Sequence, residues 1–252
     1  MTEQEACAEY CLRLGDNALI LGHRLSEWCG HGPVLEEDIA MSNMALDLIG
    51  QARGFLGYAA KLKGQGTDDE LAYKRDTRQF RNRMLVEQPN GDFAITMVRS
   101  FLYSAYAWLH FKSLLNSTDE TVSGLAEKSL KELTYHLRHC SDWIIRLGDG
   151  TEESHNRTQQ ALEELWTYTD ELFEMDDTDV TLIKQKLVFD LKPLRKEWDG
   201  IISKILQQAT LQLPAASRFM STGGIKGIHT EHLGFLLAEM QFLPRAYPGT
   251  EW

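Results

Sequence analysis

Apolar residues recur at steps of three and four along several long stretches of the chain, which is the period of an α-helix and not that of a β-strand. The clearest run predicts an amphipathic helix of about six turns. It consists of Ala126, Leu130, Leu133, Leu137, Cys140, Ile144 and Leu147. The helix is expected to end at Gly148-Asp149-Gly150, because glycine is favoured just after a helix C-terminus.

Similar patterns predict further helices at 3–29, 36–63, 92–116, 152–174, 190–211 and 230–243. The stretch 92–116 is apolar nearly all the way round, so other helices must surround it. The polar segment 64–90 is expected to form short helical turns. Together these features predict an all-α fold in which four long helices pack side by side with additional helices against them, folded as a single domain over residues 1–252.

Composition narrows the function classes. The chain has 26 basic and 37 acidic residues and a net charge of −11, so it offers no electrostatic support for nucleic-acid binding. Its four cysteines follow no zinc-binding spacing, and Cys7 and Cys11 are interpreted as core residues. The N-terminal residues lack the basic region of a signal peptide, and no apolar run approaches the length of a membrane span. A cytoplasmic protein without membrane contact is therefore expected.

The segment KELTYHLRHCSDW comes close to a metal-binding pattern. Carboxylate-bridged di-iron bundles carry Glu-x-x-His on two of their four helices. Here Glu132 is followed by Tyr135 in the histidine position, and His136 comes one residue late. A one-residue offset turns His136 about 100° away from the ligand direction. Glu132 and His136 are therefore interpreted as a flank or interface pair, and His110 and His139 as packing or surface histidines.

The other helices supply an equally incomplete ligand set. Asp16 and Asp47 are carboxylates in mid-helix, and Asp47 is expected to be buried and hydrogen-bonded as a structural group. Gly50 stands where a histidine would have to follow Asp47, and Ser104 is the best-placed polar residue of the third helix. The count favours a bundle without catalytic, cofactor-binding or metal-binding residues. Its degenerate di-iron positions are Asp16, Asp47, Gly50, Ser104, Glu132 and Tyr135.

Several segments resemble one known family, the C-type subunits of bacterial phenylacetyl-CoA epoxidases. They are LRLGDNALILGHRLSEWCGHGPVLEEDIAMSNMALDLIGQAR, LVEQPNGDFA, YHLRH, RLGDGTEES and GIHTEHLGFLLAEMQFLPRAYPGTEW. The resemblance extends from about residue 12 to Trp252. The joint presence of the N-terminal segment and the C-terminal segment makes it specific.

The resemblance implies a ferritin-like bundle that has lost its di-iron ligands and has no catalytic residues of its own. In such a complex, used in aerobic phenylacetate degradation, a related A subunit keeps the di-iron centre and epoxidises the CoA-linked ring with O2. A reductase subunit, with flavin and Fe–S groups, supplies electrons from NADPH. The C-type chain is implied to pair with the A subunit and stabilise it, and it could form a homodimer alone. Trp28, Trp108 and Tyr106 are candidates for interface contacts or for the core.

Two alternatives stay open at this point. The chain could be an autonomous di-iron oxygenase that uses Asp16, Asp47, Glu132 and His136, with His139 in addition. It could also be a docking module for a CoA ester or for the reductase, with Lys226 and Arg218 facing an acidic phosphate. The acidic total charge disfavours the docking module.

Overall fold

The computed structural model describes residues 2–215 and 219–250. Over these residues the chain forms eleven α-helices and four short 3₁₀ turns, with no strand. The helices are α1 Glu3–Ser26, α2 Leu35–Lys63, α3 Asp68–Tyr73, α4 Met84–Glu87, α5 Phe93–Leu114, α6 Glu120–Gly148, α7 Glu152–Leu165, α8 Asp177–Lys184, α9 Lys192–Gln208, α10 Glu231–Met240 and α11 Phe242–Ala246. The predicted all-α, ferritin-like fold is confirmed.

Helix positions follow the sequence pattern closely, with three differences. The helix expected at 152–174 ends at Leu165 and continues as two 3₁₀ turns, and the helix expected at 230–243 is divided into α10 and α11. The 3₁₀ turns bring Trp166 and Phe173 against the buried Trp198, each with ring centroids 5.7 Å away. The sequence pattern missed α8, because this short helix is mostly polar.

Side-chain caps mark where the long helices α1 and α6 begin. Thr2 and Glu5 form a capping box at the start of α1. At the start of α6, the Asp119 carboxylate accepts hydrogen bonds from the N–H groups of Thr121 and Val122. These contacts satisfy backbone donors that have no partner within the helix.

Contacts divide the chain into two compact units. The first unit contains the residues up to Gln88, Asp177–Leu182 and the residues from Gly223 onward. Its centre is the antiparallel pair of α1 and α2, in which the backbones approach closely at two glycines. A Cβ atom on Gly15 would lie 2.7 Å from Leu56 Cγ, and one on Gly22 would lie 3.3 Å from the Ala45 carbonyl oxygen. Glycine is therefore required for this approach.

The second unit contains Pro89–Asp176 and Ile183–Thr222. Its central helix, α5, packs against α6, α7 and α9, which confirms that an all-round apolar helix is enclosed by others. Antiparallel α5 and α6 meet through an edge-to-face contact of Phe93 and Trp143. Trp198 on α9 donates its indole N–H to the Leu102 carbonyl, at 3.1 Å.

The division into units describes how contacts are distributed, and the single domain over 1–252 stays a prediction. None of the helices in the described ranges combines the length and apolar character needed to cross a membrane.

Candidate functional site

The first expected ligand position, Asp16, is fully buried in the middle of α1 and already has cationic partners. Arg75 donates from both terminal guanidinium nitrogens to its two carboxylate oxygens, Nη1 to Oδ2 at 2.9 Å and Nη2 to Oδ1. The backbone N–H of Arg81 adds a third hydrogen bond, 2.8 Å from Oδ2. A bidentate arginine matches a carboxylate in charge and in geometry, so Asp16 is neutralised within the first unit.

Arg75 is held in place from several sides. Its guanidinium donates to the carbonyl oxygens of Leu71 and Gln79, and it stacks over the Phe80 ring 4.3 Å from the centroid. In the C-terminal segment from Gly223 onward, called the tail below, the Gln241 side-chain amide donates to the Arg75 carbonyl oxygen at 3.0 Å. The Arg75 guanidinium is therefore held in position by these contacts in addition to its pair with Asp16.

Charged groups beside the Asp16–Arg75 pair are also affected by their surroundings. Removal from water lowers the pKa of Lys63, at the end of α2, because the charged ammonium loses hydration. The carboxylates of Glu9 and Asp16 act in the opposite direction and raise it. Glu9 also accepts a hydrogen bond from the Arg81 guanidinium, at 2.9 Å.

The second expected carboxylate, Asp47, is only half-buried, so the prediction that it is buried is wrong. Asp47 lies beside Leu46 at the edge of the outward side of α2, where water can reach a carboxylate. Gly50, the position of the missing histidine, is exposed, and a Cβ atom there would have no neighbour within 4 Å. A ligand that must point inward could not be supplied from this position.

In the second unit, the remaining candidate positions point in different directions. Ser104 and His136 are buried, Glu132 is half-buried, and Tyr135 is 38 % exposed. The Tyr135 ring stacks on His139, with centroids 5.6 Å apart. Tyr135, like Gly50, was assigned to an inward histidine position, and its exposure contradicts that direction.

These side chains do not fit the di-iron group that the ferritin-like fold implies. That group needs carboxylates and histidines that converge on one point. Asp16 is engaged by arginine, and the two histidine positions are an exposed glycine and an exposed tyrosine. Among the described residues, no group of three or more His, Cys, Asp or Glu side chains has the arrangement to hold a metal ion.

A second fully buried carboxylate, Glu87 on α4, organises the first unit. Its Oε1 accepts from the Thr230 backbone N–H at 2.6 Å and from the Thr230 hydroxyl at 2.8 Å. Its Oε2 accepts from the Asn82 amide at 2.8 Å and pairs with His229 Nδ1 at 2.9 Å. The four partners satisfy both oxygens of this buried side chain, which would otherwise be costly to bury.

His229 has an oxygen within hydrogen-bond distance of each ring nitrogen. Nδ1 faces the Glu87 carboxylate, and Nε2 lies 3.1 Å from the Phe80 carbonyl oxygen. The ring therefore links Glu87 on α4 to the backbone of Phe80. Thr230 precedes α10 as expected, but its hydroxyl donates to Glu87 and makes no capping bond to the helix.

Arginines on α1 continue the same network. Arg24 donates to the carbonyl oxygens of Glu87 and His232, which joins α1 to α4 and to the tail. Arg13 donates to the carboxylate of Asp179 at 2.9 Å and to the Thr178 hydroxyl at 3.1 Å. The buried polar side of α1 thus binds three separate parts of the chain.

The sequence interpretation missed Arg75, Glu87 and His229 as organising residues. A signal for the first of them was present, because Asp16 stands in mid-helix between apolar turns and needs a cation. The segment 64–90 contains arginines at 75, 78, 81 and 83, any of which could have met that need. For Glu87 and His229, no local pattern distinguishes a network member from a surface residue.

Other residues named from the sequence have simple positions. Cys7 and Cys11 are buried, as predicted. Tyr106 and His110 are buried neighbours with ring centroids 5.3 Å apart, whereas Trp28 and Trp108 are half-buried. These two tryptophans keep part of their rings available to solvent.

Two basic positions were predicted for a CoA-docking module. Lys226 is exposed, and Arg218 lies outside the described residues. An open cavity of about 1060 Å³ lies in the first unit between α3 and the C-terminal helices, with Tyr73 in its lining. Burial raises the pKa of Tyr73, so its hydroxyl stays neutral. The lining contains three acidic side chains, Asp69, Glu70 and Glu239, against one basic side chain, Lys74, and this excess of negative charge opposes an anionic ligand.

Comparison with known proteins gives two concordant results. A family model described as phenylacetic acid catabolic protein matches residues 1–252. The C subunit of the 1,2-phenylacetyl-CoA epoxidase of Escherichia coli (strain K12), a curated protein, is 48 % identical over 243 residues, which cover 96 % of this chain and 98 % of that protein.

Proposed function

The chain belongs to the phenylacetic acid catabolic protein family, and we propose that it is a noncatalytic structural subunit of a phenylacetyl-CoA epoxidase. In this proposal it pairs with the di-iron catalytic A subunit and stabilises it, and the reductase subunit belongs to the same complex. The name and the near full-length coverage of the E. coli relative support this role.

One observation carries the noncatalytic part of the proposal. The buried Asp16 carboxylate, which a di-iron site on α1 would require, has both oxygens bonded to Arg75. A metal ion would have to displace a guanidinium that is itself held by carbonyl groups and by Phe80. An arginine beside the ligand would also repel a cation at short range. We therefore expect this chain to hold no iron.

The alternative, an autonomous di-iron oxygenase that uses Asp16, Asp47, Glu132 and His136, requires a different arrangement. It needs Asp16 to be released from Arg75, and it needs a histidine from α2 where Gly50 stands. This alternative predicts that each chain binds about two iron ions and that Glu132→Ala loses them.

A structural subunit can act without chemistry of its own. A protein that binds only the folded form of its partner stabilises that form by mass action, by about 2.7 kcal/mol when its free concentration is 100 times the dissociation constant. We propose that this is what the chain does for the catalytic A subunit.

The test has a metal arm and a binding arm. The chain is expressed with ample iron and purified without chelators, and its metal content is measured beside that of Glu132→Ala. It is then mixed with the catalytic A subunit of a phenylacetyl-CoA epoxidase. Sedimentation velocity reports the complex, and thermal unfolding reports the stability of the A subunit.

We expect no stoichiometric iron in either form of the chain, a stable complex and a higher unfolding temperature for the A subunit. About two irons in the wild type and none in Glu132→Ala would establish the alternative. An iron-free chain that neither binds nor stabilises the A subunit would refute the structural role.

A further inference from the structure

One side of α2 exposes large apolar side chains along its N-terminal half. Leu35, Ile39 and Leu46 are 72 %, 52 % and 66 % exposed. Their spacing of four and seven residues places them on one line along the helix. A line of exposed leucine and isoleucine on a long helix is the pattern of a helix–helix contact whose partner is another molecule.

The same line continues into the C-terminal half of α2 with two glycines and, between them, Arg53, whose exposed side chain reaches Asp68 at 3.6 Å. Gly50 and Gly57 lie in the helix interior, and a Cβ atom added to either would have no neighbour within 4 Å. Glycine destabilises a helix relative to alanine, and packing within this chain does not require it at these positions. Two such glycines on one line with the exposed apolar residues indicate that another backbone approaches this half of the helix.

The two halves are complementary to each other when a second α2 runs antiparallel. If the two-fold axis lies level with Leu48, Ile39 of one helix lies opposite Gly57 of the other. Leu46 lies opposite Gly50 in the same register. Ile39 and Leu46 then each enter the space left by a glycine, Leu35 lies level with Lys61, and the two-fold axis repeats each contact.

The charges of α2 select the same orientation. Its first turn contains acidic residues and its last turn basic residues: Glu36, Glu37 and Asp38 against Lys61 and Lys63. In the register given above, the exposed Glu36 of one copy lies beside the exposed Lys61 of the other, at both ends of the contact. A parallel arrangement would instead bring like charges together, which is unfavourable.

We propose that two copies of this chain associate through the outer side of α2, as an antiparallel, two-fold symmetric helix pair. Ile39 and Leu46 of each copy pack against Gly57 and Gly50 of the other, and Leu35 and Glu36 meet Lys61 at each end. The proposal uses only residues of this chain and does not depend on the epoxidase assignment.

A charge exchange tests the orientation. Glu36→Lys makes both ends of the contact basic, and Lys61→Glu makes both ends acidic, so each variant alone repels itself. In an equimolar mixture of the two variants, the mixed pair has opposite charges at both ends. We expect each variant alone to dimerise at least about tenfold more weakly than wild type in sedimentation equilibrium, and the mixture to recover dimers. Loss of fold cannot produce this recovery.

A steric exchange tests the glycine contacts. Gly50→Leu and Gly57→Leu fill the space that the partner's side chains need, so we expect each to abolish dimers. Gly124→Leu on α6 is the matched control, because Gly124 is also exposed in a long helix and also has nothing within 4 Å of a Cβ atom. We expect Gly124→Leu to dimerise as wild type does.

Three results would overturn the proposal. They are a wild type that stays monomeric at every concentration, charge variants that dimerise as well alone as mixed, and a Gly124→Leu variant as defective as Gly50→Leu. If the wild type is monomeric and Gly50→Leu instead blocks binding of the catalytic A subunit, this side of α2 belongs to that subunit. In that case the dimer is refuted and the proposed function stands.

Discussion

Glycines occur on both sides of the α1–α2 pair, and their surroundings are opposite. Gly15 and Gly22 face the other helix of the pair, where an added Cβ atom would come within 3.3 Å of it. Gly50 and Gly57, on the outer side of α2, face open space. A helix glycine is thus required by a close approach within the chain at Gly15 and Gly22, whereas at Gly50 and Gly57 only the proposed second copy would require it.

Carboxylates show the same contrast between inside and outside. Asp16 and Asp76 are both hydrogen-bonded to an arginine side chain, Asp16 to Arg75 and Asp76 to Arg245. Asp16 is fully buried, whereas the Asp76 side chain is 79 % exposed. The two aspartate–arginine pairs should therefore contribute very differently to the free energy of unfolding.

The largest effect is expected from breaking the buried pair. Asp16→Ala leaves the Arg75 guanidinium buried without its counter-charge, which costs about 3–5 kcal/mol in the free energy of unfolding. Asp76→Ala removes an exposed partner of Arg245 together with the side-chain cap to the Gln79 N–H, and it is expected to cost about 1–2 kcal/mol, less than Asp16→Ala. Urea unfolding followed by circular dichroism measures both.

The double variant Asp16→Leu with Arg75→Met sharpens this prediction. It removes both charges and should recover much of the stability that Asp16→Ala loses, because no buried charge remains. Equal losses for Asp16→Ala and Asp76→Ala would show that burial does not distinguish the two pairs.

A smaller effect, and one of opposite sign on the two sides, is expected from adding one methyl group to a glycine. Gly15→Ala forces Leu56 to move and is expected to destabilise the fold by about 1–2 kcal/mol. Gly50→Ala meets nothing and gains helix propensity, so it should stabilise the fold by up to about 1 kcal/mol. Thermal unfolding under conditions where the wild type is monomeric compares the two; a loss of stability in both variants would contradict the contrast.

The smallest effect concerns His23, near the end of α1. Burial lowers its pKa below the usual value for histidine, because the protonated ring is poorly hydrated there. As pH falls through the usual histidine range, the unfolded chain takes up the proton first, so the folded state loses stability. His23→Gln should reduce the drop in urea midpoint between about pH 7 and about pH 5. A drop equal to that of wild type would assign the pH dependence to other groups.

The sequence pattern was sufficient for the long helices because each must bury one side, and the steps of three and four record that requirement directly. The apolar helix α5 was predicted to be enclosed, and it is. Helix ends were less accurate where aromatic packing decided the geometry, as at Trp166 and Phe173. The short polar helix α8 buries few residues, so it left no periodic signal.

The site was only partly predictable. The missing histidines could be read from the sequence, since glycine cannot bind a metal and tyrosine stands in the second position. Whether Gly50 and Tyr135 face the core or the solvent could not be read from the sequence, because this depends on which side of each helix the rest of the fold covers. The partner of Asp16 lies 59 residues away, and the partner of Glu87 at His229 lies 142 residues away. No local pattern encodes contacts at such separations.

The contacts of the tail also have a consequence for the order of events during protein synthesis. Glu87 depends on Thr230 and His229, and the Gln241 amide reaches the Ala72 carbonyl across 169 residues. Contacts at such long sequence separation form slowly and late. Because the ribosome makes the chain from its N-terminus, the buried network of α1 and α4 is complete only after residues 229–241 have been made. A chain truncated before His229 would leave the buried Glu87 carboxylate without three of its four hydrogen-bond partners, which are His229 and the N–H and hydroxyl groups of Thr230.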